Sequence, residues 1–290
     1  ADFNQEGVMG LLEAYYEPQI GKYVPERRLD IEARSMPFLR SRFTTFQAYA
    51  DAGIEDILGD WLPKSQMLEA NCLESVVLMN RGGSFELRPL PFEAQLAPCF
   101  AVIVADYDGD GAEDVFLSQN FFALEPETSR YDAGRGLWLK GDGRGQLRSV
   151  PGPESGVLVY GEQRGAAVAD FDGDGRVDLV VTQNAADTRL FRNVKAKPGL
   201  RVRLKGPAGN PSGIGAQLRL KHGAQMGPLR EVHAGSGYWS QDSAVQVLGG
   251  VADADQLWVR WPGGKSFTVD LPRGATEIQV GLDGQVARIK

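Results

Sequence analysis

One nine-residue pattern, written twice, constrains this chain more than any other feature. D-x-D-G-D-G-x-x-D occurs at residues 106–114 and again at 170–178, an offset of 64. Each copy sits between apolar runs, in AVIVADYDGDGAEDVFLSQN (101–120) and AAVADFDGDGRVDLVVTQN (166–184). Alternate residues of a tight loop aim oxygens at one point, which suits a hard cation such as calcium with its six to eight oxygen ligands. In the first loop Asp106, Asp108, Asp110 and Asp114 offer carboxylates, and Ala112 offers its backbone carbonyl. Asp170, Asp172, Asp174 and Asp178 repeat the set, with Arg176 supplying the carbonyl. Gly111 and Gly175 permit the sharp turn in the middle of each loop. Four aspartates in one loop repel one another unless a cation lies between them. The bland alternative is an Asp-Gly turn with no ion. Two Ca2+ sites are expected.

A third, decayed copy opens the chain as ADFNQEGVMGLLEAYY, residues 1–16. Asp2, Asn4 and Glu6 hold the first acidic positions, but Gly10 stands where the last Asp belongs, so a degenerate and weaker site is expected there. None of the loops is an EF-hand. Position 12 would need a bidentate Glu and is Leu117 or Val181, and the flanks read as strands; a dockerin fails for the same reason. Strand, loop, strand is the pattern of β-propeller blades.

About 40 extra residues separate the first copy from the second. Residues about 26–70 carry apolar side chains at three- and four-residue spacing. Phe38, Leu39, Phe43, Phe46 and Tyr49 suit one helical face, and Ile54, Ile57 and Leu58 another. Thr44 with Gln47 reads as a capping box and Gly59 as a helix stop. Elsewhere the chain reads as short strands and turns. Residues 76–80 and 85–88 form one expected hairpin, 137–140 and 146–150 another.

Charge divides the chain. Residues 199–290 hold 11 basic and 7 acidic side chains, whereas residues 1–198 hold 20 and 31. The break near Lys197-Pro198-Gly199 is the expected boundary between a propeller-like region, 1–198, and a C-terminal domain, 199–290. Seven apolar or alternating segments follow it: 200–204, 216–220, 244–248, 257–261, 266–271, 277–282 and 285–289. Seven short strands in so few residues indicate a small all-β sandwich-like domain. Asp283-Gly284 reads as a type I′ turn and Gly263-Gly264 as another turn. Tyr238, Trp239, Trp258 and Trp261 are either core or an aromatic platform for a sugar, and core is the commoner use of Trp in small β domains.

The calcium-loop segments resemble FG-GAP/VCBS repeats, the blades of integrin-α-like β-propellers; the run from Gly165 through Asp170 with Gly173-Asp174-Gly175 carries the likeness. The C-terminal segment is similar to the ASPIC/UnbV domain. It shows Asn210-Pro211-Ser212-Gly213-Ile214-Gly215-Ala216, then Arg230-Glu231-Val232, then Gly235 to Gln241, then Trp261-Pro262 with Gly264. The combination resembles secreted bacterial relatives of the cartilage acidic protein family. That resemblance implies an extracytoplasmic location, a propeller followed by a small β domain, and no established catalytic activity. About three blade-like repeats are present, whereas a propeller closes with typically four to eight. The missing blades, or other protein subunits, are therefore the expected partners.

Function classes fall away in turn. A net charge of −7 argues against nucleic acid. No apolar run approaches the ~20 residues of a membrane helix. No basic segment followed by an apolar stretch opens the chain, so no signal peptide is expected in it, and a start at Ala1 reads as a processed or partial form. Only His222 and His233 are present, with no metal-ligand spacing; no G-x-S-x-G or phosphate-binding loop occurs. The readings left are a non-catalytic calcium-stabilised interaction or scaffold module, a carbohydrate-binding module, and, well behind, a hydrolase of unrecognised type. Cys72 and Cys99 can be one disulfide or two thiols.

Overall fold

The computed structural model describes residues 1–3, 6–126 and 128–290. The protein is mainly β, with sheets arranged like part of a propeller. It divides into two compact units, Ala1–Leu73 and Glu74–Lys290.

The first unit holds the hairpin β1 (Ala14–Glu17) and β2 (Lys22–Pro25), then four short helices. These are α1 (Leu29–Ser35), α2 (Leu39–Arg42), α3 (Phe46–Ala50) and α4 (Ile54–Leu58), closed by a 3-10 turn over Gly59–Lys64. Leu29, Met36, Leu39, Tyr49, Ile57 and Leu58 form its core together with Phe3. Two details correct the sequence reading. Thr45, not Thr44, caps α3, accepting from the Ala48 N–H at 3.1 Å, and Gln47 binds Asp51 instead of closing a box. Phe46 faces solvent and does not join the expected face. The helical stop at Gly59 holds, with φ 51°.

The second unit opens with the hairpin β3 (Val76–Asn80) and β4 (Phe85–Pro89). A four-stranded antiparallel sheet follows: β5 (Cys99–Ala105), β6 (Asp114–Gln119), β7 (Leu137–Gly141) and β8 (Leu147–Val150). After the short α5 (Gly152–Ser155) comes a three-stranded sheet of β9 (Glu162–Ala169), β10 (Asp178–Asn184) and β11 (Ala186–Phe191). The two sheets are the blades expected from the repeats. They pack face to face through Ala101, Ile103, Phe116, Ala166, Leu179 and Val181. Alanine on the innermost strands lets them approach closely.

The rest of the unit is a sandwich, built from β12 (Leu200–Lys205), β13 (Gln217–His222), β14 (Gln225–Met226), β15 (Arg230–Glu231) and β16 (Gln246–Leu248), then β17 (Gln256–Arg260), β18 (Ser266–Asp270), β19 (Glu277–Gly281) and β20 (Val286–Arg288). One sheet runs β16-β12-β19-β20, with β12 parallel to β19; the other runs β14-β13-β17-β18, with β15 beside β13. Leu200, Val202, Ile278 and Val280 of the first sheet meet Leu218, Leu257 and Val259 of the second in one core. All seven expected strands are present. The β19–β20 turn differs from expectation: Asp283 is not at positive φ, Gly284 is at 87°, the Gly281 carbonyl accepts from the Gly284 N–H, and the Gly281 N–H donates to the Gln285 carbonyl. That is a type I turn closed by a left-handed glycine, not type I′.

Candidate metal centres

Both acidic loops join the first and second strands of a blade, β5 to β6 and β9 to β10. In each, the first aspartate organises the turn. The Asp106 carboxylate accepts from the N–H groups of Gly109 (2.7 Å), Asp110 (3.1 Å) and Gly111 (2.8 Å). Asp170 does the same with Gly173 (2.8 Å), Asp174 (3.0 Å) and Gly175 (2.7 Å). The last aspartate of each loop pins it to the blade. Asp114 accepts from the Tyr107 and Gly141 N–H groups, and Asp178 from those of Phe171 and Asn193. Gly111 and Gly175 stand at φ 89° and 85°, the left-handed region their loops require.

Six of the expected ligands converge. Single carboxylate oxygens of Asp106, Asp108 and Asp114 lie within 4.8 Å of one another, and so do those of Asp170, Asp172 and Asp174. Asp110 and Asp178 fall outside these groups. Asp110 turns toward Lys140 and accepts from the Ala112 N–H; the Arg176 N–H likewise donates to Asp174. In the degenerate first copy, Asp2 accepts from the Glu6 and Gly7 N–H groups at 3.2 and 2.9 Å, an echo of the Asp106 turn. Asn4 lies outside the described residues.

Electrostatics tests whether such loops suit a cation. Burial pushes the Asp106 carboxyl above its ordinary value, helped by the charges of Asp110 and Asp108. Burial likewise raises Asp178, and lifts Asp114 to about 6. These carboxylates are short of positive charge. Basic side chains lean in where a cation would be welcome. Lys140 pairs with Asp108 and with Asp110 (2.8 Å); Arg192 pairs with Asp172 (2.5 Å) and Asp174 (3.5 Å); Arg176 pairs with Asp174 (2.9 Å). The contacts with Asp108 and Asp110 hold the Lys140 pKa well above the ordinary lysine range. An all-oxygen donor set of this density can hold a hard divalent cation.

Sequence reasoning missed two further participants. Arg201 on β12 pairs with Asp170, donates to its carbonyl at 3.1 Å, and reaches Glu277 at 2.9 Å, while Arg203 also pairs with Glu277. The arginine thus ties a loop aspartate to the C-terminal sheet. Gly249 is the second. A Cβ there would sit 1.7 Å from the Asp106 carboxylate, so only glycine fits against that loop. The linker completes the docking: Lys197 N–H donates to Asp108 O, and Gly199 N–H to Gly175 O. No local signal in the sequence marks either partner, since both come from chain far beyond the loops.

The aromatic cluster divides. Trp261 is 2% exposed and belongs to the sandwich core, Trp258 is half-buried, Tyr238 is 41% exposed and Trp239 is 92% exposed. Trp239 holds φ 49°, unusual for a bulky residue, on a turn bridged by Gly237 and Ser240. Cys72 and Cys99 are free thiols, and burial pushes Cys99 up to about 11. Among the described residues no helix is long and apolar enough to cross a membrane.

Residues 206–285 match the family model described as ASPIC and UnbV. The chain is 26% identical to Cartilage acidic protein 1 of Xenopus tropicalis over 240 residues, covering 80% of this chain and 35% of that one. It is 22% identical to the Homo sapiens protein of the same name over 232 residues, covering 77% and 33%. The chain therefore spans about a third of the length of the curated relatives it matches.

Proposed function

We propose that this chain is a non-catalytic, calcium-stabilised extracytoplasmic interaction module, one part of a larger polypeptide or multi-subunit assembly. The convergence of three carboxylates in each of two sibling loops carries the reading. Calcium is the cation of choice because every donor is oxygen and the loops supply up to four carboxylates and a carbonyl apiece. In the first loop Asp106, Asp108, Asp110, Asp114 and the Ala112 carbonyl hold it. In the second, Asp170, Asp172, Asp174, Asp178 and the Arg176 carbonyl do so. The site at Asp2, Asn4 and Glu6 binds weakly. Residues 1–198 act as the propeller-like region and 199–290 as the β domain clamped to its loops.

The partners are the remaining blades or other subunits, since a propeller closes with typically four to eight blades and the described residues of Glu74–Lys290 give two loop-bearing sheets. Extracytoplasmic placement is supported by the likeness to Cartilage acidic protein 1. Native mass spectrometry of material from its source, with and without a chelator, tests the proposal. Two bound calcium ions and an added partner mass support it. A calcium-bound monomer of 31.5 kDa moves weight to a free-standing binding protein, and no bound calcium overturns the metal assignment.

The exposed, left-handed Trp239 beside Tyr238 favours one second reading, a carbohydrate-binding module. A glycan array without hits removes it.

A further inference from the structure

The two blades differ in size, and the difference leaves a cleft. The first sheet continues out to β8, whereas the second stops at β11. A cavity of about 610 Å³ lies between β7, β8 and α5 of one and β10, β11 and residues 191–196 of the other. Its apolar walls include Phe116, Trp138, Val157, Leu179 and Phe191, with Tyr107 set edge-on to Trp138. This is the size and character of a site that encloses a small organic molecule.

Its charged groups run against the acidic balance of residues 1–198. The chain carries a net charge of −7, yet this one cleft gathers Lys140, Arg148, Arg192 and Lys195 against only Asp108 and Glu154. Lys140 and Arg192 are also held by the acidic loops, but among the described residues Arg148 and Lys195 make no ion pair with them. Arg148 is exposed on β8, and Lys195 is exposed with its ammonium 3.5 Å from the Glu154 carbonyl. An apolar aromatic chamber with a cationic surround selects a ligand with a flat hydrophobic body and one negative end. Rings in the walls favour edge-to-face and offset contacts with an aromatic guest over an alkyl chain.

We propose that the cleft between the two blades binds an aromatic carboxylate, its ring system among Trp138, Phe116 and Phe191 and its carboxylate toward Arg148 and Lys195. The cleft borders the first acidic loop at Asp108, so the proposed carboxylate contact is assigned to Arg148 and Lys195 and not to Lys140 or Arg192, which the loops hold. It concerns a different class of ligand from the cation of the loops.

Isothermal titration of the full chain with 2-naphthoate tests it, with neutral 2-naphthamide as the matched control. One saturable site is expected, with the amide at least tenfold weaker. Arg148→Glu, an exposed change, is expected to weaken naphthoate about tenfold and to leave the amide unchanged. Val194→Trp, at a lining position that is 65% exposed, is expected to block both by filling the mouth. Circular dichroism melts of both variants check that they fold as the parent does. No binding up to millimolar naphthoate, equal affinity for acid and amide, or binding indifferent to both variants each overturns the proposal.

Discussion

Replacing Arg201 with Met should separate a buried ionic tie from a surface one. The Arg201 side chain is 9% exposed, Asp170 is 1% exposed and Glu277 is 9% exposed. Removing the guanidinium therefore strands the Asp170 carboxylate out of reach of water, while Glu277 keeps Arg203. Breaking a buried pair in this way costs about 3–5 kcal/mol, because the abandoned charge keeps its desolvation penalty. The second unit, Glu74–Lys290, has 217 residues. For a body of that size 1 kcal/mol moves the melting temperature by roughly 2–4 °C, so Arg201→Met should lower it by about 6–20 °C. Arg192→Met is the comparison. It also removes a cation from a loop aspartate, but its side chain is 56% exposed, and such pairs contribute only about 0–1 kcal/mol. Differential scanning calorimetry in chelator, then in calcium, measures both. In calcium the Arg201 loss should shrink, since a bound ion also neutralises Asp170. Equal shifts for Arg201→Met and Arg192→Met would refute the reasoning that burial, not charge alone, sets the strength of the tie.

Three further outcomes are expected. Asp108→Ala and Asp172→Ala should each lose the stabilisation that one calcium confers, about 2.7 kcal/mol at a hundredfold excess over Kd, while Asn4→Ala changes little; melts with and without calcium decide, and equal effects from all three variants would contradict the ranking of the loops. Burial pushes Glu162 upward, but hydrogen bonds from the Phe122 N–H, Asn184 and Arg164 outweigh it and set its pKa at about 2, below the ordinary 4.5. A depressed carboxyl stabilises the fold above about 4.5 and loses that contribution as pH falls toward 2, so Glu162→Gln should flatten the acid limb of a stability profile measured by denaturant titration. Trp239→Gly should leave stability unchanged or raise it by about 1 kcal/mol, since the ring is exposed and its φ is positive, whereas Trp261→Ala should cost about 3–5 kcal/mol; chemical unfolding of the two variants checks the contrast.

What was legible in the sequence was local. Residues 101–120 and 166–184 declare their strands by apolar runs and their turns by Asp and Gly, and both blades form where those runs lie. The seven strands of the sandwich are equally plain, because alternation along 200–204 or 257–261 is a property of a few neighbouring residues. The hidden parts depend on distance or on fine balance. Arg201 meets Asp170 and Glu277 across 31 and 76 positions, and nothing near Asp170 announces it. β14 and β15 have two residues each, too short for any period to show. Thr44 and Thr45 are both fitted to cap a helix, and the geometry of one turn chose the second. Asp283-Gly284 suits two turn types, and only the β19–β20 register selects between them. The cleft was invisible for another reason: its walls come from β7, β8 and α5 on one side and β10, β11 and residues 191–196 on the other, segments far apart in the chain.

The contact of Gly249 with Asp106 changes what a mutational survey of this protein would reveal. A residue with no charge and no side chain, 143 positions downstream of the loop, should be as intolerant of replacement as the aspartates themselves. Any side chain there pushes the leading carboxylate out of its turn, so even Gly249→Ala would masquerade as the loss of a ligand. Engineered variants in the C-terminal domain would thus surface as changes at the acidic loop. The interpretable unit for such data is the pair of loop and facing turn.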